Sequence, residues 1–551
     1  MSVLTRKKMS FKTTANNSLV FLLAFLLCLA AGRQCRAQED TLRPVTEEIR
    51  FEACLPNQND VGHPLPLAAH WNSGEAKGGF SPTYQMEMIQ RGHFLLPWFA
   101  LPGPGENPPD DDYYEAQMKW AAEKGLPISF LSTQWEHYLT NSPEYFSLPP
   151  DRNPNVVSRN GAIDKKVSPF GPVAPWNELG RKWGSTQTLR KIQGWYPSPP
   201  LVLFISNNEH AKLTWGDVEK SSRYMQRFGP GRDDDFKRKI VGDGWIERYR
   251  ALQKGIVEGL DAKSWKENSR FIGYDCFGLS FLGRWVGWIE YSLYTTGRFE
   301  PWPLAWDGGS PSYYVYNWDG STDFTVWSPQ IQAMNWVFMQ EEAKRLNPEF
   351  RFEISMWDGN EPSQDNDKRK YYARLGQTYG PERYQGMVQF GMWLLRPRVA
   401  REFRGWTETL ANCAPYFLSI VNPVDRVHTD PVLRRFWRKG ELVANPNGSH
   451  PYQALIPQEY KKAARWYLLD ASANPKSHWS LDTQLAVFSL ALVLGEAPER
   501  EWLVYAHSPL KKMDKVTIDL PGYGIVTLDV SPAGCFYRVM EKNRSAERVF
   551  E

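Results

Sequence analysis

A glutamate follows one of the most apolar stretches of the chain. Residues 201–206 read Leu-Val-Leu-Phe-Ile-Ser, and Asn207, Asn208 and Glu209 come directly after them. An unbroken apolar run of this length is typical of a strand that is buried on both faces, as in a parallel sheet. In barrels of such strands the carboxyl ends form the active-site face. Glu209 is therefore placed to donate and accept protons there.

Three further carboxylates lie in a second strand-like stretch, residues 350–361. Glu353 interrupts the apolar run, Asp358 stands at its end, and Glu361 follows in a loop-like context. Because an ionisable group is costly to bury without a partner, Glu353 is either functional or strongly hydrogen-bonded. Glu353 and Trp357 share one face of the strand, and if that face points inward then Asp358 points away. We prefer Glu353, with Asp358 as second choice and Glu361 as a surface or substrate-contact residue.

Two carboxyl groups are what the hydrolysis of a glycosidic bond requires. One carboxylic acid protonates the leaving oxygen, and the other carboxylate attacks the sugar ring or activates water from the opposite side. A separation of about 5–5.5 Å between the two groups gives retention of configuration, and about 6.5–9.5 Å gives inversion. Glu209 suits the first role, and Glu353 suits the second.

The order of these residues resembles that of the large clan of retaining (β/α)₈ glycoside hydrolases, over about residues 60 to 400. There the acid/base is the Glu of an Asn-Glu pair that ends the fourth strand, and the nucleophile is a Glu near the end of the seventh. The resemblance implies that Asn208 contacts the sugar 2-hydroxyl, that Glu209 is the acid/base and that Glu353 is the nucleophile. The seventh run departs from the clan pattern, since Glu353 interrupts it. In the alternative, structural interpretation, Glu209 accepts helix N-terminal amides.

Other predicted strand ends carry aromatic and polar side chains that suit a sugar cleft. Pyranose rings stack on indole and phenol rings, while their hydroxyls need charged and amide partners. Each of these residues taken alone is more often a packing residue. The predicted substrate-binding set, besides Asn208, is Trp71, Trp98, Trp135, His137, Asp275, Trp306, Asp307, Tyr314, Trp357, Asp358 and Trp393.

Apolar runs that alternate with helical stretches position these residues, as in a parallel α/β fold. Eight runs are counted, which is the number that closes a (β/α)₈ TIM barrel. The predicted strands are residues 65–70, 93–99, 127–132, 201–206, 271–276, 301–306, 350–355 and 387–392. The long connection 133–200 is predicted to be an insertion at the catalytic face.

Beyond residue 397 the pattern changes to short strands separated by turns, which indicates a small antiparallel β-sandwich. The predicted strands are residues 466–472, 484–494, 501–506, 515–520 and 524–530. We therefore divide the chain into a signal peptide at 1–37, a catalytic (β/α)₈ barrel at 38–440 and a C-terminal β-sandwich domain at 455–545.

Composition excludes several classes of partner and cofactor. The 65 basic and 62 acidic residues are interspersed, so no nucleic-acid or anionic-membrane surface is indicated. The chain has 24 Trp, 25 Tyr and 28 Phe, of which about half the Trp residues are expected to fill the core. Of the acidic runs 110–112 and 233–235, the second is predicted to begin a helix, and neither implies a metal. No cofactor motif is present in its required context.

The N-terminus is predicted to be a signal peptide. Basic residues precede an apolar run, residues 19–31, that is shorter than the ~20 residues of a membrane span, and Ala37 suits a cleavage site. A retained anchor is the alternative. Cleavage leaves Cys54, Cys276, Cys413 and Cys535, which are compatible with one or two disulfides or with buried thiols.

The sequence thus predicts a secreted or periplasmic, cofactor-free retaining glycoside hydrolase that acts on a poly- or oligosaccharide. A non-catalytic carbohydrate-binding barrel is the alternative from another class, and a lyase or transglycosylase is a third. The sugar, the linkage, endo or exo action and the oligomeric state are not predicted.

Overall fold

The computed structural model describes most of the chain between residues 63 and 549, in separate stretches. The described residues are 50, 52, 63–70, 88, 91–93, 101, 103–105, 111–133, 135–207, 213, 215–274, 302–314, 333, 336, 337, 340, 343–357, 370, 372–402, 410–443 and 487–549.

The larger part of the fold is a parallel sheet with helices between its strands. The ladder runs β1-β10-β9-β7-β6-β5-β2, and β8 also pairs with β9. Every pairing in it is parallel. The strands are β1 Leu67–His70, β2 Ile128–Thr133, β5 Val202–Asn207, β6 Ser269–Tyr274, β7 Gly308–Ser310, β8 Ser312–Tyr314, β9 Arg351–Trp357 and β10 Val399–Glu402. Among the described residues β1 and β2 are the two ends of the ladder, and no strand pairing between them closes it into a barrel.

Five of the predicted strands are confirmed, since β1, β2, β5, β6 and β9 each overlap a predicted run. All but the first residue of the predicted strand at 93–99 lies outside the described residues. Two predicted strands are wrong. Residues 302–305 form a short helix, since Pro301 and Pro303 cannot donate to a ladder, and the strand is instead Gly308–Ser310. Residues 387–392 belong to a helix, and the strand is instead Val399–Glu402.

Helices connect the strands and cover the sheet. They are α1 Asp111–Lys124, α2 Trp135–Asn141, α3 Pro143–Phe146, α4 Ala174–Gly184, α5 Gln187–Trp195, α6 Ser222–Phe228, α7 Asp234–Gly259, α8 Lys263–Asn268, α9 Trp302–Ala305, α10 Pro381–Leu395, α11 Leu410–Thr429 and α12 Pro431–Lys439. Asp233 caps α7 by accepting a hydrogen bond from the amide of Phe236 at 2.7 Å, as its acidic start predicted. In the described part of the chain no helix is long and apolar enough to cross a membrane.

The long connection after β2 is an ordered insertion that holds α2 to α5 and a hairpin of β3, Asn155–Val157, with β4, Ile163–Val167. Its helix α4 packs on α7 through glycines. A Cβ built on Gly180 would lie 2.1 Å from the carbonyl oxygen of Leu252, and one on Gly255 would lie 2.1 Å from that of Asn177. The two helix backbones therefore touch directly, which no larger residue would allow.

The C-terminal part is antiparallel, as predicted. A five-stranded sheet runs β11-β12-β13-β16-β17, and the hairpin β14–β15 covers one face of it with a second apolar core. The strands are β11 Glu441–Leu442, β12 Phe488–Leu494, β13 Glu501–His507, β14 Met513–Leu520, β15 Gly524–Val530, β16 Cys535–Met540 and β17 Ser545–Arg548. The predicted strand at 466–472 lies outside the described residues. Cys535 is a buried free thiol.

Helix α10 joins the two parts. Its Trp393 ring lies 5.0 Å from the ring of Trp437 in α12 and 5.2 Å from that of Phe536 in β16. The Tyr505 hydroxyl donates a hydrogen bond of 2.7 Å to the carbonyl of Gly386. Almost every residue of α10 past its first turn is buried, so the helix is buried on all sides and most of its residues are apolar. This explains why its sequence resembles that of a buried strand.

Candidate active site

A buried ionic cluster lies on one side of β9. The Arg351 Nε donates to Glu353 Oε1 at 2.8 Å, and the Arg401 Nε donates to Glu353 Oε2 at 2.7 Å. Glu353 and Arg401 have no exposed side-chain surface, and Arg351 has 4 %. Desolvation by burial lowers the pKa of Arg401, although the charge of Glu353 opposes this. One carboxylate thus neutralises part of the charge of two guanidinium groups.

The cluster faces the concave interior of the sheet. Arg401 Nη1 donates to Ser129 Oγ at 3.3 Å. Ser129 lies in β2 and Arg401 in β10, five places apart in the ladder, so the sheet must curl to bring them together. Glu353 therefore points inward. The buried hydroxyls of Ser310 and Ser355 have no hydrogen-bond partner within the described residues.

Depth separates Glu353 from the carboxyl end of its strand. β9 ends at Trp357, four residues beyond Glu353, which is about 13 Å at 3.3 Å per residue. Asp358 is the next residue after that end. Active sites of parallel barrels form at the carboxyl ends of the strands. Glu353 thus lies well below the level at which a substrate would meet the rim.

The candidate acid/base position is defined by its strand. β5 ends at Asn207, two residues before Glu209, as the apolar run predicted. It is the third described strand of the parallel sheet in chain order, and the predicted strand at 93–99 would make it the fourth. Six members of the predicted site lie outside the described residues: Trp71, Trp98, Asn208, Glu209, Asp275 and Asp358.

Two predicted sugar-contact tryptophans form part of the core. The rings of Trp135 and Trp306 stack at 6.2 Å with an interplanar angle of 21°, and neither has any exposed surface. Tyr249 lies 4.9 Å from Trp306, and its hydroxyl donates to the buried carboxylate of Glu136. The structure brings these residues together in a packed aromatic layer, and their contact with substrate stays a prediction.

The other described members are dispersed. Asp307 lies at the amino end of β7, where its Oδ1 accepts from Arg250 at 2.7 Å and its Oδ2 from the Phe271 amide at 2.9 Å. Trp357 is buried at the end of β9 and Tyr314 ends β8. Trp393 lies in α10 and has 1 % exposed surface. The predicted strand 387–392, which would have placed it at the carboxyl-end rim of the sheet, is part of this helix.

His137 is exposed and lines a cavity of about 330 Å³ between α2, α3 and α4. Other residues of this wall were not singled out from the sequence, among them Tyr138, Asn141 and Lys182.

The arginine partners of Glu353 were also missed. Arg351 lies two residues before Glu353, so strand alternation places both on one face and could have identified it. Arg401 is 48 residues away, and no local signal links it to Glu353.

No family model and no curated protein matches the chain. Similarity to solved structures is weak. A GH5-4 broad specificity endoglucanase from an uncultured bacterium is 8% identical with a TM-score of 0.32, covering 71% of this chain and 96% of its own. The α-galactosidase from Lactobacillus brevis is 10% identical with a TM-score of 0.38, covering 87% and 51%, so this chain spans about half its length.

A third similar structure is α-L-fucosidase isoenzyme 2 from Paenibacillus thiaminolyticus, which is 10% identical with a TM-score of 0.35, covering 86% of this chain and 72% of its own. These structural neighbours are glycoside hydrolases. The similarity at these TM-scores assigns no role to any residue of this chain.

Proposed function

We propose that the protein is a retaining glycoside hydrolase that cleaves a poly- or oligosaccharide, with Glu209 as the acid/base. The observation that carries the proposal is the position of Asn208 and Glu209, directly after the end of β5 in a curled parallel sheet. The carboxyl ends of such strands meet at one face, where a carboxyl group reaches substrate. Asn208 is proposed to contact the sugar.

The reaction proceeds in two displacements. Glu209 gives its proton to the glycosidic oxygen as the bond from that oxygen to the anomeric carbon breaks, and a carboxylate bonds to this carbon. Glu209 then takes a proton from water, whose oxygen displaces the carboxylate. Each displacement inverts the anomeric carbon, so the product retains its configuration.

The nucleophile in this proposal belongs to β9 or to the residue that follows it. Glu353 was preferred from the sequence, and that preference stays a prediction. Its two arginine partners occupy both of its oxygens, and its depth removes it from the rim, which counts against attack on a sugar. Asp358 follows directly on Trp357. These observations support Asp358 as nucleophile and Glu353 as the group that holds Arg351 and Arg401 in place. Strict strand alternation would point Asp358 away from the interior, so this proposal requires the chain to depart from alternation after Trp357, as at a β-bulge.

A mechanism-based label tests both the reaction and the assignment. The protein is incubated with activated 2-deoxy-2-fluoro glycosides of several common sugars, digested, and mapped by mass spectrometry. We expect a covalent glycosyl adduct on the peptide that contains Asp358. An adduct on Glu353 would return the role to that residue, while the absence of any adduct together with the absence of reducing-sugar release would contradict hydrolase activity.

The acid/base role has its own test. Glu209→Gln should slow substrates with poor leaving groups far more than activated aryl glycosides, because an activated leaving group needs little protonation. Glu349→Gln, at an exposed carboxylate, is the matched control. Equal losses on both substrate types in E209Q would argue against the role.

A non-catalytic carbohydrate-binding barrel remains the second candidate. Two of the buried carboxylates in the described part of the chain, Glu136 and Glu353, are hydrogen-bonded, which suits a structural function for each. Saccharide binding without product release would favour this candidate.

We also propose, from the charge and length of the leader, that the protein is exported and begins near Gln38. N-terminal sequencing of exported material tests this, and an intact residue 1–30 segment would contradict it.

A further inference from the structure

Among the described residues that line the cavity between α2, α3 and α4, none belongs to β5 or β9. α2 begins at Trp135, two residues after β2 ends at Thr133, so the cavity belongs to the insertion at the carboxyl end of that strand. Its volume of about 330 Å³ is within the lower range of small-molecule sites. Polar and aromatic side chains line it: His137, Tyr138, Asn141, Ser142, Glu144 and Lys182.

The polar groups of this wall contact one another. Lys182 Nζ donates to the carboxylate of Glu144 and lies 3.3 Å from that of Glu178. His137 Nδ1 and Asn141 Nδ2 are 3.0 Å apart. The wall offers ammonium and amide donors beside carboxylate and hydroxyl acceptors. A neutral, polyhydroxylated ligand satisfies such a set, whereas a cationic ligand would be repelled by Lys182 and an anionic ligand by Glu144.

The side chains of the cavity wall are held in place by contacts within the protein, so the site is preformed. Tyr138 packs edge-on against Trp183 at 5.6 Å, and Lys182 lies over the ring of the buried Tyr145 at 5.2 Å. The Asn153 amide donates to the carbonyls of Phe146 and Leu148, each at 2.9 Å, and so fixes the chain after α3. A preformed site loses little conformational entropy on binding.

We propose that this cavity binds one or two neutral pyranose units of an oligosaccharide, as an auxiliary site that holds substrate away from the scissile bond. Tyr138 supplies the aromatic edge of the site, and Glu144, Lys182 and Asn141 receive the hydroxyls. The proposal rests on the proposed function for the identity of the ligand, but the binding itself needs no catalysis.

Isothermal titration calorimetry tests the site with the full chain. The probes are cellohexaose, mannohexaose, xylohexaose and β-1,4-galactohexaose as neutral ligands, and hexagalacturonate as an anionic one. We expect at least one neutral hexamer to bind the parent protein more tightly than hexagalacturonate does. Y138A and K182M should weaken that binding about tenfold each, since each removes a contact to the sugar. Thermal unfolding verifies that every variant is folded.

Lys239→Met is the matched control, because Lys239 forms a similar exposed ion pair with Asp243 outside the cavity. Asn141→Ala replaces Y138A if the loss of the Tyr138 ring prevents folding, since Asn141 is exposed. K182R should keep most of the affinity. Binding that is unchanged in both K182M and N141A, or confined to hexagalacturonate, or absent in the parent, overturns the proposal.

The two proposals fail separately. Loss of binding in K182M with unchanged turnover of a short aryl glycoside supports the auxiliary site. If K182M binds the hexamer more weakly than the parent and neither protein releases product, the auxiliary site is supported and the hydrolase activity is contradicted. Turnover with unaltered hexamer binding in the variants contradicts only the site.

Discussion

Glu353→Gln is the substitution that most directly tests the role of the interior cluster. Gln keeps the shape of Glu and one carbonyl oxygen, but it replaces the other oxygen by an NH₂ group. That group would face the guanidinium of either Arg351 or Arg401, which now donate to the two oxygens at 2.8 and 2.7 Å. Both arginines would stay buried after losing the carboxylate they share.

The expected loss of stability follows from this geometry. Removal of one partner from a buried ion pair costs about 3–5 kcal/mol, because the remaining charge is left uncompensated away from water. Glu353 is wholly buried and serves two arginines, so we place the loss in that range. Folded proteins are stable by only about 5–15 kcal/mol, so E353Q should lose a large part of its free energy of unfolding.

Urea unfolding followed by tryptophan fluorescence and circular dichroism measures the loss. E349Q, the same exchange at an exposed carboxylate, should stay within about 0.5 kcal/mol of the parent. The double variant E353Q/R401M removes one of the stranded guanidinium groups and should recover about 1–2 kcal/mol relative to the sum of the single changes. E353Q with parental stability and abolished glycosidase activity would refute the structural interpretation and restore Glu353 as nucleophile.

Two further predictions concern packing and acid sensitivity. Gly180→Ala should cost about 1–3 kcal/mol, since its Cβ would meet the Leu252 carbonyl at 2.1 Å, whereas Gly194→Ala, with nothing within 4 Å, should stabilise by about 0.5–1 kcal/mol; thermal and urea unfolding compare them. Burial lowers the pKa of His507 from 6.5 to about 3. Between these two pH values His507 is therefore protonated in the unfolded chain and neutral in the folded chain. Stability should therefore fall as the pH drops from 6.5 towards 3, by up to about 1.4 kcal/mol per pH unit from this group. His507→Gln should remove that share of the slope between pH 6 and 4, measured by urea unfolding, and an unchanged slope would contradict the shifted pKa.

The strands that were predictable contain several buried apolar residues. β5 is almost continuously hydrophobic, and β9 alternates the apolar Phe352, Ile354 and Met356 with polar residues that face the interior. β7 and β10 were not predicted because their local composition is not typical of strands. Position 308 in β7 requires glycine, because a Cβ there would lie 2.3 Å from the carbonyl oxygen of Arg351 in the neighbouring strand β9. β10 carries Arg401 as the partner of a residue 48 positions earlier.

The candidate site was also predictable only in part. That Glu353 must be either functional or firmly hydrogen-bonded followed from the cost of burying a charge, and the two arginines confirm the hydrogen bonds. Which side chains provide them depends on the curl of the sheet, which sequence alternation does not determine. Trp135 and Trp306 were expected at a cleft because indole suits both sugars and cores, and composition alone cannot separate the two uses.

The burial of α10 means that the C-terminal sheet is not a detachable accessory. Phe488, Tyr505 and Phe536 of that sheet belong to the same apolar core as the strands β5 and β9. Gly386 touches the opposite wall so closely that a Cβ there would lie 2.0 Å from the Pro532 carbonyl oxygen. Heat or denaturant should melt both parts in one cooperative transition. A chain cut before residue 487 would leave the outer face of α10 open to water, and aggregation of the remaining α/β part would be the expected result.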